Sequence, residues 1–134
     1  VRVLFVSYAE KTHFLGMVPL AWALRAAGHE VVVASQPELM PTVASTGLPG
    51  VPLGRDHRMA EVNRAVRLMG GAGARGFDLM SDAPEDTTAE RLRHGYQHEL
   101  LPLWWKVVND PWVAELVGFC RWWGPDLVLW EPVS

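Results

Sequence analysis

The stretch Arg2–Ser35 reads RVLFVSYAEKTHFLGMVPLAWALRAAGHEVVVAS, and its alternation of runs decides the fold. Its first run, Arg2–Ser7 (RVLFVS), is short, β-branched and aromatic, which predicts a buried strand of a parallel sheet. Its last, Glu30–Ser35 (EVVVAS), predicts a second strand of the same kind. Between them residues 14–27 are almost continuously apolar and are closed by Arg25 and then Gly28. Such a run predicts a largely buried helix with Gly28 at its C-cap. Pro19 sets the expected start. Proline has no N–H and is tolerated in the first helical turn, so the helix is expected to begin near Gly16–Pro19, with residues 8–15 largely as loop.

Working outward, Pro37 to Ser45 predicts a short helix stopped at Gly47, and Leu48 to Leu53 a weaker third strand interrupted by Pro49 and Pro52. Arg58 to Met69 predicts a helix, Gly70 to Gly76 a flexible stretch, and Thr87 to Val108 a long helix with a kink or break at Pro102. Asn109-Asp110-Pro111 is a start signal, with Asp110 as N-cap and Pro111 at the first helical position. That helix ends at Gly124-Pro125, and Asp126 to Trp130 predicts a fourth strand. This β-α-β-α-β rhythm predicts an α/β fold: a three-layer, Rossmann-like domain with a mainly parallel sheet and right-handed crossovers.

The 134 residues, 49% hydrophobic and 20% charged, suffice for one domain with its own core. No apolar run is long enough to span a membrane, and no leader peptide is read at Val1-Arg2-Val3. The lone Cys120 excludes an intrachain disulfide and a cysteine-rich zinc site. A net charge of −3 gives no reason to expect nucleic acid or an anionic membrane surface as partner. The ending at Ser134, directly after an apolar run, is expected to be an interior point of a longer chain.

In an open α/β sheet ligands bind beyond the carboxyl ends of the strands, where the strand order reverses. With order 3-2-1-4 that crevice lies between the first and fourth strands. The loop after the first strand contains His13, and Glu131 follows the fourth. An imidazole facing a carboxylate is the arrangement of a general base, the acid orienting the ring and stabilising the imidazolium. The other reading is that His13 caps the helix that follows. Gly71-Ala72-Gly73-Ala74-Arg75-Gly76 matches G-x-G-x-x-G literally, but it follows a predicted helix rather than the first strand, so dinucleotide binding there is rejected. His94 and His98 have metal-ligand spacing without a third ligand, and no metal site is assigned. In the tryptophan pairs Trp104-Trp105 and Trp122-Trp123 one member is expected to pack and the other to lie at the core margin, or to line an apolar pocket or partner surface. Phe14, Met69, Phe77 and Trp105 are the candidates for the wall of an apolar pocket.

The segment His13–Val31 (HFLGMVPLAWALRAAGHEV), placed after a first strand, resembles the N-terminal domain of the two-domain GT-B glycosyltransferases. More narrowly it resembles the bacterial enzymes that attach deoxysugars to macrolides and other polyketides. The ending Pro125–Pro132 (PDLVLWEP) is similar to the fourth-strand signature of the desosaminyl- and mycaminosyl-transferase-like members. The resemblance covers about residues 2–55 and 110–134. It implies that His13 deprotonates the acceptor hydroxyl. Many relatives place an Asp where this chain has Glu131, one methylene longer, so a looser or water-bridged pairing is expected. It also implies inversion by direct displacement of a nucleotide diphosphate without a metal or other cofactor. The donor, a dTDP-deoxysugar, would be held mainly by a second domain that the 134 residues do not contain. The implied partners are a hydrophobic polyketide acceptor and an auxiliary protein related to haem monooxygenases, docked on the tryptophan-rich helices or the middle segment. The implied location is cytoplasmic, and the isolated chain is expected to be inactive. Two other classes remain: a stand-alone Rossmann-like nucleotide-binding domain and a non-catalytic binding module.

Overall fold

The computed structural model describes residues 1–61, 64, 88–98 and 105–131. Four parallel strands, β1 (Arg2–Val6), β2 (Glu30–Ser35), β3 (Gly50–Pro52) and β4 (Leu127–Trp130), form one sheet in the order β3-β2-β1-β4. The register pairs Val3 with both Val31 and Leu127, and Val6 with both Ala34 and Trp130. β1 is flanked on both sides, and its Val3, Leu4, Phe5 and Val6 are all buried. A central parallel strand is covered on both faces, so its sequence is a continuous apolar run rather than an alternating one.

Helix α1 (Lys11–Ala26) packs on the face carrying Val3, Phe5, Val31 and Val33, burying Phe14 and Ala21, with Met17, Val18 and Leu24 partly buried on the same side. That spacing is one helical stripe. The helix starts earlier than the sequence predicts. Glu10 is its N-cap, the side chain accepting from the Thr12 N–H, and Pro19 lies inside the helix. Proline removes one backbone bond there, at a cost of about 3 kcal/mol. The site tolerates it because Pro19 and the residue four before it, Leu15, both lie on the exposed side of the helix. Burial of the apolar stripe offsets the loss. The exit matches the sequence. Gly28, with φ +87°, donates to the Arg25 carbonyl while His29 donates to that of Leu24, the paired bonds of a Schellman end.

A 3-10 turn (Pro37–Leu39) and α2 (Met40–Ser45) connect β2 to β3. The indole of Trp22 donates to the Thr46 carbonyl (3.0 Å) and closes the end of α2. Beyond β3, Gly54 has φ +64°, and a Cβ on it would stand 2.3 Å from the Pro111 carbonyl oxygen and 2.5 Å from the Trp112 Cα. This contact decides where the next long helix starts. Residues 110–112 form a turn, Trp112 is buried, and the helix begins at Val113 rather than at the Asp110-Pro111 signal. The Arg55 N–H bonds the Pro111 carbonyl, and the Glu115 carboxylate takes the Gly54 N–H at 2.8 Å. Tertiary contact with the β3 exit overrides the local cap.

The chain divides into two compact units. The first, Val1–His57 with Asn109–Ser134, contains the sheet, α1, α2 and the long helix Val113–Trp123. In it Trp123 packs over Phe119 and under the Arg2 guanidinium, whereas Trp122, with its ring also 5.8 Å from that of Phe119, is 79% exposed and lies out beyond the core margin expected for it. Cys120 is half-buried and its thiol is pushed up by burial. The second unit, Arg58–Val108, contains α3 (Ala89–Gly95), capped by the Thr88 hydroxyl accepting from the Arg91 N–H. A short helix, α4 (Lys106–Asn109), leads out of it, which leaves α5 as the label of Val113–Trp123. Pro102 and the glycine-rich segment 70–76 lie outside the described residues. Among the described residues no helix is long and apolar enough to cross a membrane.

Candidate active site

The site is built where β1 and β4 end. After β1 the chain turns through Ser7–Glu10, and four bonds hold that turn. Ser7 N–H donates to the Ala34 carbonyl, Ser7 Oγ to the Tyr8 carbonyl, Glu10 N–H to the Tyr8 carbonyl, and Ala9 N–H to Oε1 of Gln36 at 2.8 Å. Gln36 is fully buried just beyond β2, so the second strand anchors the loop of the first. The loop then enters α1, which places His13 on the first helical turn. On the other side of β1, the Glu131 N–H bonds the Val6 carbonyl and continues the β1–β4 pairing one residue past Trp130.

His13 Nδ1 and Glu131 Oε2 are 2.8 Å apart, with the histidine side chain 31% exposed and the carboxylate 5%. The added methylene of Glu131 does not loosen the pair, and the contact is direct. An ionised carboxylate only accepts, so Nδ1 carries the proton and, in the neutral ring, Nε2 keeps its lone pair. This is the tautomer of a general base oriented by an acid. The N-cap role belongs to Glu10, not to His13.

Tyr8 is the third member. Its ring lies 5.2 Å from that of His13 and 5.8 Å from that of His57, centroid to centroid. Burial, and then the carboxylates of Glu131 and Glu10, push its phenol up to about 12. It therefore keeps its proton throughout the neutral range. His57 Nε2 stands 3.4 Å from the Ala9 carbonyl oxygen. Neither Tyr8, His57 nor Gln36 is singled out by the sequence reading. Their signal is position: each follows directly on the carboxyl end of a strand or its exit turn.

The acceptor-wall assignments fare differently. Phe14 is 1% exposed and belongs to the core with Val3 and Phe5, so it is not on the rim. It follows His13 by one residue, and adjacent helical side chains point about 100° apart, so only one of the two can face the crevice. Trp105 is an exposed residue of the second unit. Met69 and Phe77 lie outside the described residues. The rings of His94 and His98 lie 4.6 Å apart, and among the described residues no group of three or more His, Cys, Asp or Glu is placed to hold a metal.

Residues 22–134 match the family described as erythromycin biosynthesis protein CIII-like, N-terminal domain. The chain is 47% identical over 134 residues to the erythronolide mycarosyltransferase of Saccharopolyspora erythraea, covering 99% of this chain and 32% of that protein. It is 44% identical over 134 residues to the aklavinone 7-beta-L-rhodosaminyltransferase of Streptomyces galilaeus, covering 99% of this chain and 30% of that protein. Among solved structures, the glycosyltransferase VinC in complex with dTDP superposes with a TM-score of 0.77 at 31% identity, over 100% of this chain and 30% of that one. The chain thus spans about a third of the length of the curated relatives it matches. With the four-stranded parallel sheet and its helices, these matches identify the architecture as that of GT-B glycosyltransferases. The chain belongs to the erythromycin biosynthesis protein CIII-like N-terminal domain family.

Proposed function

We propose that this chain is the acceptor-side part of an inverting glycosyltransferase that moves a deoxysugar from a dTDP donor to a hydroxyl of a macrolide or other polyketide aglycone. The observation that carries the reading is the 2.8 Å pair of His13 Nδ1 and Glu131 Oε2 at the point where the sheet order reverses. His13 Nε2 takes the proton of the acceptor hydroxyl as its oxygen bonds to the anomeric carbon. The bond from that carbon to the diphosphate oxygen breaks, and the nucleotide diphosphate leaves with the electron pair. Glu131 stabilises the imidazolium so formed. The printed names of the relatives, a mycarosyltransferase and a rhodosaminyltransferase, support a deoxysugar, and VinC with dTDP supports the donor class.

The donor nucleotide is held by a domain outside these 134 residues, and the chain alone does not turn over. We further propose a cytoplasmic location and, as partner, an auxiliary protein related to haem monooxygenases. The test is His13→Ala in the complete enzyme, which lowers kcat by roughly 10²–10⁴-fold, the usual worth of a general base. A near-normal rate removes His13 from the mechanism. Turnover by the 134-residue chain given donor and aglycone overturns the need for a second domain.

A further inference from the structure

We propose that Tyr8 is the positioning residue of the pair: its buried ring fixes the plane of the His13 imidazole, so that Nδ1 rather than Nε2 meets Glu131. As a device of catalysis this rests on the proposed role of His13, but the geometry can be tested without it.

One hydrogen bond fixes a point and leaves a ring free to turn. The His13 side chain is part-exposed on the first turn of α1, and its bond to Glu131 alone is compatible with either ring nitrogen serving as donor. A second contact, off the line of that bond, sets the plane. Tyr8 supplies it, with centroids 5.2 Å apart and planes tilted by 56°, within the range of aromatic packing.

Tyr8 can impose a plane because it has little freedom of its own. It is 5% exposed, and its ring also packs 5.8 Å from that of His57 with a 55° tilt. Its carbonyl receives Ser7 Oγ and the Glu10 N–H, and the next residue is tied to buried Gln36. The rigidity of β2 is thus passed through Gln36 and the loop to Tyr8, and from Tyr8 to His13. The phenol, pushed up to about 12 by burial and by Glu131 and Glu10, neither ionises beside the pair nor competes for its proton. The part of Tyr8 assigned the role is the flat ring, 5.2 Å from the imidazole.

The direct readout is the tautomer of His13, followed by the 15N shifts of its ring in the 134-residue chain at about pH 9, where an ordinary imidazole is neutral. The Nδ1–H form dominates in the parent, Tyr8→Ala admits the Nε2–H form, and Tyr8→Phe restores the parent pattern. If Tyr8→Ala does not fold, Tyr8→Leu replaces it with the same expected loss, since a branched chain offers no flat face. In the complete enzyme Tyr8→Ala lowers kcat by roughly 10–10²-fold, the order of cost of a misplaced reacting group, with the acceptor KM little changed. An unchanged tautomer overturns the proposal, as does a Tyr8→Phe variant that behaves like Tyr8→Ala. Should His13→Ala leave the rate intact, the base assignment falls while the tautomer still decides the role of Tyr8.

Discussion

His13 and Glu131 are 118 residues apart in sequence, yet Nδ1 and Oε2 meet at 2.8 Å with the carboxylate almost wholly buried. A buried carboxylate facing an imidazole selects one protonation pattern. Replacing it by an amide changes the pattern, not only the charge, because an amide can turn its NH2 toward Nδ1 and force the proton to Nε2. In the complete enzyme Glu131→Gln is therefore expected to cost a large part of the worth of the base, up to roughly 10²–10⁴-fold in kcat. Glu131→Asp keeps the charge and the tautomer and loses less. Steady-state rates of the two variants side by side check the order.

Among the described glycines probed for an added Cβ, Gly54 is the most crowded. An alanine there must hold φ near +64° and place its Cβ 2.3 Å from a carbonyl oxygen and 2.5 Å from a backbone carbon, neither of which can move alone. Left-handed strain of about 1–2 kcal/mol and overpacking of about 1–3 kcal/mol together predict a loss of roughly 2–5 kcal/mol for Gly54→Ala. Urea unfolding of the 134-residue chain measures it.

Pro19→Ala is expected to stabilise. It returns an N–H that can bond the Leu15 carbonyl, against a penalty for interior proline of about 3 kcal/mol. The more flexible unfolded chain takes back about 0.4–1 kcal/mol. The midpoint of thermal unfolding should rise by several degrees. No rise would mean that the helix has already adjusted its backbone around the proline.

The raised Tyr8 phenol makes a pH prediction. Unfolded, it loses its proton near 10.0; folded, only near about 12. Between these values the folded chain holds the proton that the unfolded chain has lost. The associated stability is whole below pH 10 and is lost as pH rises through about 12. Its size is on the order of 2–3 kcal/mol, two pH units' worth. Tyr8→Phe removes this dependence, so denaturation curves taken on either side of pH 10 should differ more for the parent than for the variant.

The strands were legible because a parallel sheet imposes its own signature. β1 and β2 are runs too apolar to face water on either side, and their order with β4 follows from the crossover rhythm. The same logic placed His13 and Glu131 at one crevice. The two misplaced helix starts have one cause. Pro19 and Asp110-Pro111 are local signals, and in each place a contact from far along the chain outweighs them: the sheet beneath the α1 stripe, and Gly54 beneath Trp112. Phe14 belongs to the core rather than to a pocket wall, because one step along a helix from His13 turns the side chain away from the crevice. Tyr8 and His57 carry no motif, and only the folded turn shows that the Tyr8 ring packs near the rings of both His13 and His57.

The continuation of the β1–β4 pairing through Glu131 has a consequence for how this site can vary. Along a strand neighbouring residues point to opposite faces, and Trp130 is 64% exposed where Glu131 is 5% exposed. Inserting a single residue between Gly124 and Leu129 would slide the carboxylate out of its pocket and an indole into its place. The carboxylate's distance in residues from the start of β4 cannot change without losing its partner. The crevice is addressed by counting along the strand, and short insertions and deletions there should be far more damaging than substitutions.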